Sequence, residues 1–274
     1  MLSDYAKQSS QTVLGGGYLL PNGGPEAPTR FAALSELFDE VTIHHLEKCG
    51  VRYGWSCLEV GGGSGSIARW LADHVGPTGR VLATDIDTRF LETPGSRNLE
   101  VRRHDIAVDP LPQGTFDLVH SRLVLLHVPQ REQALASMIS GLKTGGWILC
   151  EEYDSASMEP DSTVSPGEVF LKTHVAMMRL LEDGGVNRRY GRLLFGRLRD
   201  HGLVDVGAEA RVFMWQCGSA GIAVLRANFQ QLRDAMVSGN YITRQQFEED
   251  LACLDDPDFM VPSGILWSAW ACRP

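Results

Sequence analysis

The 274-residue sequence has no apolar run long enough to span a bilayer, so a transmembrane segment is not expected. Its six cysteines (Cys49, Cys57, Cys150, Cys217, Cys253 and Cys272) include no C-x-x-C pair. Several sit in apolar runs, as reduced core thiols do, and neither a disulfide framework nor structural zinc is expected. There is no H-x-x-x-H pattern and no carboxylate cluster to hold another metal. Basic charge is in deficit, with 25 Lys and Arg against 34 Asp and Glu, a net −9. A surface of that sign repels phosphate backbones, so nucleic acid is not an expected partner. The best local exception, Arg188, Arg189, Arg192, Arg197 and Arg199, lies in a helix-like stretch and reads as a solvated face. The first residues lack a basic-then-apolar stretch, so no signal peptide and a cytoplasmic location are expected.

What is present is an ordinary globular composition, 43% hydrophobic and 22% charged. Residues 1 to 28 are polar and rich in Gly and Pro, and read as loop with a short helix at the very start. Phe31, Leu34, Leu37, Phe38, Val41 and Leu46 then recur at helical spacing up to Gly50. Strands are expected over 56–60, 80–84, 99–103, 116–120 and 147–152, with helices after the first and over 131–143. This alternation implies a parallel sheet with helices on both faces. Beyond residue 154 the rhythm loosens. Helices are expected over 166–183, 189–201, 219–237 and 243–254, with Thr243 as N-cap, and strands over 204–215 and 265–272.

The chemistry concentrates in LEVGGGSGSIARWLA, Leu58 to Ala72. A strand runs into a glycine turn and then a helix. Gly61, Gly63 and Gly65 let a ligand lie against the backbone. The helix beginning near Ser66 points its free N–H groups at the same place. Dinucleotide enzymes use G-x-G-x-x-G here, but this turn reads G-x-G-x-G with Ser66 where their third glycine would sit. Asp85 follows Gly61 by 24 residues, a spacing that suits either cofactor class. The runner-up readings are a nicotinamide-dependent oxidoreductase and a protein that binds cofactor without turnover.

With Glu59 before the glycines, the chain resembles the Rossmann-like S-adenosylmethionine methyltransferases that act on small molecules. The likeness covers about residues 50 to 155, with the motifs in order: the glycine turn, Asp85, His104-Asp105-Ile106, FDLVHSRLVLL (116–126) and LKTGGWILCEE. It implies a doubly wound, mostly parallel seven-stranded α/β sheet with the last strand reversed. It implies S-adenosylmethionine as cofactor, with Glu59, Gly61, Gly63 and Gly65 around the methionine part and adenosine. Asp85, with Ile86 beside it, would bind both ribose hydroxyls, and Asp105 with Ile106 would lie near the adenine amino group. Ser121 and Arg122 follow the fourth strand at the sheet's carboxyl edge, where Arg122 can pair the methionine carboxylate. Residues 1–50 are expected to fold over the cofactor, with Tyr18 covering its methionine end and Arg30 binding it. The remainder, 51–274, would form the catalytic domain, carrying lid insertions over about 155–200 and 217–257.

Methyl transfer needs alignment, exclusion of water and, for a hydroxyl acceptor, a base. The bases favoured by position are His127, after the fourth strand, and Asp154, after the fifth. His120 reads as structural, Glu151 and Glu152 as strand-end caps, and His174 as a residue of the inserted helix. Met177, Met178, Phe195, Phe213, Met214, Trp215 and Phe229 offer the lid an apolar lining, which points to a small apolar or aromatic acceptor. Dimerisation is common in the family, and no feature here demands it.

Overall fold

The computed structural model describes residues 18–91, 96–158 and 167–274. The expected short helix at the start of the chain lies outside these residues. Nine strands and seven α-helices are described, with the first helix, α1, spanning Ala27–Lys48. The classical half follows as β1 (Ser56–Val60), α2 (Ser66–Val75), β2 (Arg80–Asp85), β3 (Leu99–Arg103), β4 (Phe116–Arg122), α3 (Arg131–Gly141) and β5 (Leu142–Asp154). The second half contains α4 (Gly167–Asp183), α5 (Leu194–Asp200), β6 (Val204–Arg211), β7 (Met214–Gln216), α6 (Ala220–Ser238), α7 (Arg244–Cys253), β8 (Met260–Pro262) and β9 (Ile265–Cys272).

Seven strands form one sheet in the order β3-β2-β1-β4-β5-β9-β6. The first five run parallel, and β9 inserts antiparallel between β5 and β6. Parallel strands fed by crossover helices bury both faces, and β1 shows why its sequence is nearly all apolar. Cys57 packs with Leu46 and Cys49 of α1 and with Ile67 and Leu71 of α2, whereas Leu58 and Val60 pack with Leu135 and Met138 of α3. The order in which strands are added reverses between β1 and β4, so the carboxyl ends of these two parallel strands open a crevice at the switch point.

Most expected elements are present, and the differences have local causes. The strand expected over 204–215 divides in two. β6 joins the main sheet, while β7 pairs with β8 in a separate ribbon. The helix expected over 189–201 is a single 3-10 turn, Gly191–Leu193, followed by the short α5. Thr243 caps α7 through a complete capping box with Gln246. The ribbon turns Trp215 and Val261 inward and leaves Met214 62% exposed. Phe195 is also exposed, so neither Phe195 nor Met214 lines an interior, while Met177, Met178 and Phe229 are core.

All six cysteines are free. Burial pushes the Cys49 and Cys150 thiols up to about 12, which keeps them unreactive. Four arginines of the expected basic face meet carboxylates: Arg188 with Glu182, Arg192 with Asp154, Arg197 with Glu132 and Arg199 with Asp200. Among the described residues, no helix is long and apolar enough to cross a membrane, and no group of His, Cys, Asp and Glu could hold a metal ion.

Candidate active site

The glycine turn sits at the crevice and has the backbone that glycine permits. Gly61, Gly63 and Gly65 have φ of +70°, +54° and +77°, the left-handed region that other residues enter at a cost. Space is equally restrictive. A Cβ on Gly61 would lie 2.2 Å from Cγ2 of Val124, and one on Gly63 would lie 2.9 Å from the Phe31 ring. The turn is tied to β2 on its other side. Gly61 and Gly62 donate to the Thr84 carbonyl, and Gly63 donates to Oδ2 of Asp85 at 3.0 Å. The second Asp85 oxygen accepts from Asp87 N–H at 3.0 Å. Asp85 is thus half-buried at the strand end with its carboxylate fixed from two directions, and burial holds its carboxyl above the usual range. Ile86 beside it is 42% exposed, an apolar side chain presented at the mouth.

The segment before α1 crosses this mouth. Tyr18 stands edge-on to His127 after β4, with ring centroids 5.1 Å apart. Asn22 donates to the Asp87 carbonyl after β2 at 3.3 Å, so the segment bridges from β4 to β2 across the β1 turn. Arg30 anchors it. Its guanidinium is 3% exposed and donates to the Leu20 carbonyl at 2.9 Å, to Oδ1 of Asn22 at 3.2 Å and to Oε1 of Gln231 on α6. Gln231 donates in turn to the Pro21 carbonyl. All these partners are neutral, and among the described residues no carboxylate comes within ion-pairing distance of Arg30. Burial accordingly pulls the Arg30 guanidinium below its usual value. A buried cation without a counter-ion is costly, and an anionic ligand in the mouth would relieve that cost.

The structure brings Tyr18, Arg30, the glycines, Asp85 and His127 to one place, and sets others apart. Arg122 turns to the α1 side, where it pairs with Asp39 at 2.8 Å and donates to Thr42. Asp39 also accepts from Ser66 at the start of α2, so Arg122 braces two helices and is not aimed at the mouth. Glu59 faces the same layer, with its carboxylate 2.5 Å from Nδ1 of His120. Ser121 is fully buried between β1 and β5. Asp105 accepts from Ala107 N–H at 2.9 Å and shapes the turn after β3, with Ile106 buried beside it.

Of the two expected bases, Asp154 is engaged. One oxygen accepts from Ala156 N–H, and the other pairs with Arg192, which ties Asp154 to the turn after β5 and to the 191–193 turn. His127 is partly buried at the mouth. Burial, with Arg30 and Arg131 nearby, pushes its ring down to about 4, so it stands neutral at physiological pH. A neutral imidazole can accept a hydrogen bond from an acceptor hydroxyl, although a group so acidic is a weak proton acceptor.

Three contributions are not among the expected site residues, although Phe31 belongs to the expected helical face and Glu152 to the expected strand-end caps. Phe31, Ser35 and Asp39 repeat every four residues along α1, and this stripe meets the glycine turn and Ser66. That spacing was a usable signal. Gln231 lies on α6 and gave none. Glu152 accepts from the N–H groups of Val124, Leu125 and Leu126, partners that no side-chain pattern reveals.

Comparison with known proteins agrees with this geometry. Residues 58–150 match a family model described as a methyltransferase domain. Over that span, and in the sheet with its reversed β9, the chain is similar to the Rossmann-like, class I S-adenosylmethionine-dependent methyltransferases. The chain is 36% identical over 116 residues to the ubiquinone/menaquinone biosynthesis C-methyltransferase UbiE of Pseudomonas savastanoi pv. phaseolicola. That alignment covers 39% of the chain and 45% of the relative, so the chain spans under half the length of the curated relative it matches. Among solved structures, phosphoethanolamine N-methyltransferase 2 of Haemonchus contortus, in complex with phosphomonomethylethanolamine and S-adenosylhomocysteine, superposes with a TM-score of 0.56 at 15% identity. The superposition covers 88% of this chain and 56% of that one. The [4+2]-cyclase SpnF superposes with a TM-score of 0.50 at 16% identity, covering 86% and 81%. These two likenesses concern the fold alone.

Proposed function

We propose that this chain transfers a methyl group from S-adenosylmethionine to a small apolar or aromatic acceptor. The observation that carries the cofactor assignment is the juxtaposition at the crevice: a turn of left-handed glycines, a fixed carboxylate at Asp85, and the buried, uncompensated Arg30 above them. The residues fit the group. Asp85 would accept from the ribose hydroxyls, the glycine backbone would lie against the ligand, and Arg30 would meet the methionine carboxylate. Asp105 and Ile106 would stand at the adenine end. When bound, the cofactor supplies a methyl on sulfonium with a good, neutral leaving group. The chain's own work is then alignment and exclusion of water. The segment from Tyr18 to Glu26 covers the mouth, and neutral His127 offers an acceptor for a substrate hydroxyl.

The sheet disfavours the nicotinamide alternative, because dinucleotide folds run six parallel strands without an inserted antiparallel one. The second reading is cofactor binding without methyl transfer, which would use the same glycine turn and Asp85. Incubation of the protein with methyl-labelled S-adenosylmethionine and a graded acceptor panel separates these readings. Transfer to apolar phenolic or quinol-like acceptors is expected, in line with the quinone-pathway relative. Label confined to very polar acceptors would overturn the acceptor class, and tight binding with no transfer would favour the non-methylating reading.

A further inference from the structure

The loop after β4 is held by a carboxyl group supplied by the protein itself. Leu123 has φ +57°, and Val124 follows in the right-handed region at φ −112°, ψ −58°. A left-handed residue followed by right-handed ones turns successive N–H groups into one concavity, the backbone nest that binds anions. Glu152, fully buried at the end of β5, fills it. Its Oε1 accepts from Val124 at 3.1 Å and Leu125 at 2.6 Å, and its Oε2 accepts from Leu126 at 3.2 Å. Burial outweighs the three amide donors and pushes the Glu152 carboxyl up to about 8, while its two oxygens remain the acceptors that fill the nest.

The clamped loop touches the glycine turn, the segment around Asn187, α3 and Tyr18. Cγ2 of Val124 occupies the space that a Cβ on Gly61 would need. The Leu126 carbonyl accepts from Asn187 N–H of the lid at 2.8 Å, and the Leu125 carbonyl accepts from Arg131 at 3.3 Å. His127 closes the loop against Tyr18. We infer that Glu152 is a positioning residue: by filling the nest of residues 124–126 it presses Val124 onto the glycine turn and sets the cofactor-binding conformation of Gly61 to Gly63. This assignment rests on the cofactor reading above, and it links the end of β5 to the turn after β1 with no contact between Glu152 and ligand.

The test is amide hydrogen exchange on the full chain, read beside calorimetric titration of S-adenosylhomocysteine, for wild type, Glu152→Gln and Val124→Ala. In Glu152→Gln an amide NH2 replaces one acceptor. Exchange at 124–126 should accelerate at least tenfold, exchange at Gly61 to Gly63 should accelerate with it, and affinity should fall about tenfold, while the centres of β4 and β5 stay protected. Val124→Ala keeps the nest filled but removes the methyl groups against Gly61. It should leave 124–126 slow, speed the glycines and weaken affinity similarly, and it carries the test if Glu152→Gln does not fold. Faster exchange at 124–126 with the glycines and affinity unchanged, or a Val124→Ala protein indistinguishable from wild type, would overturn the inference. If wild type does not bind S-adenosylhomocysteine, the cofactor reading fails instead, while the exchange coupling between the two loops is still measured.

Discussion

Asp85→Ala is expected to weaken S-adenosylhomocysteine binding tenfold or more in a protein that remains folded. The carboxylate is already oriented, with one oxygen held by Gly63 N–H and the other by Asp87 N–H, each at 3.0 Å. Both oxygens keep further lone pairs for ribose hydroxyls. Hydrogen bonds to a charged acceptor are worth about 1.5–3 kcal/mol each, and about 1.4 kcal/mol is a factor of ten in affinity. Losing the shared acceptor also frees the Gly63 amide and loosens the turn that would carry the ligand. Calorimetry on variant and wild type, with circular dichroism as the check on folding, reads the difference. Unchanged affinity in folded Asp85→Ala would remove Asp85 from the site.

His120→Leu should produce the largest loss of stability. His120 is fully buried in β4, with Glu59 of β1 at 2.5 Å and Glu151 of β5 at 3.5 Å on either side. Glu151 also accepts from Thr42 of α1 and from Ser268 of β9, so this one layer ties four strands and a helix together. Burial alone would pull the imidazole down, but Glu59 and Glu151 outweigh it and carry the ring up to about 9. Burial likewise acts to raise Glu151, and its bonds with His120 and His45 hold it well below the usual carboxylate range. Removing the cation leaves two buried carboxylates facing each other. The expected cost is about 3–5 kcal/mol, or roughly 10 °C in Tm.

The same shifts set a pH signature. His120 is raised in the folded protein, so its contribution is full below its ordinary value near 6.5 and is lost as pH rises through about 9. Glu151 is depressed, so its contribution is present above about 4.5 and is lost as pH falls. Denaturant titrations between pH 6 and 10 should show wild-type stability declining more steeply through about pH 9 than that of His120→Leu, since the fall through about 8 from Glu152 is common to both. A loss under 1 kcal/mol with the same alkaline slope would mean that the network does not carry this charge.

How much was legible in the sequence follows from what each feature depends on. The first five strands and the glycine turn are local patterns, and they stand where alternation, glycines and apolar runs placed them. β7 and β8, at three residues each, are too short to show a period, and they exist because they pair with each other across 46 residues of chain from Met214 to Met260. In the site, Asp85 was readable because a strand end fixes its position. Arg122 and Arg30 were not separable, because the difference lies in partners. Asp39, 83 residues away on α1, takes up Arg122, while Arg30 meets only neutral acceptors. The surroundings of Asp154 depend on a partner in the same way, since Arg192 pairs with it from 38 residues away. The role of Glu152 was beyond side-chain patterns altogether, because what it binds is backbone.

The central claim is that the glycine turn, Asp85 and Arg30 together form an S-adenosylmethionine site. The most direct measurement is calorimetric titration of S-adenosylhomocysteine into the purified protein, with NAD as the control ligand. Micromolar binding of S-adenosylhomocysteine with none for NAD is the predicted result. Binding of NAD instead, or no binding of S-adenosylhomocysteine by folded protein, would contradict it.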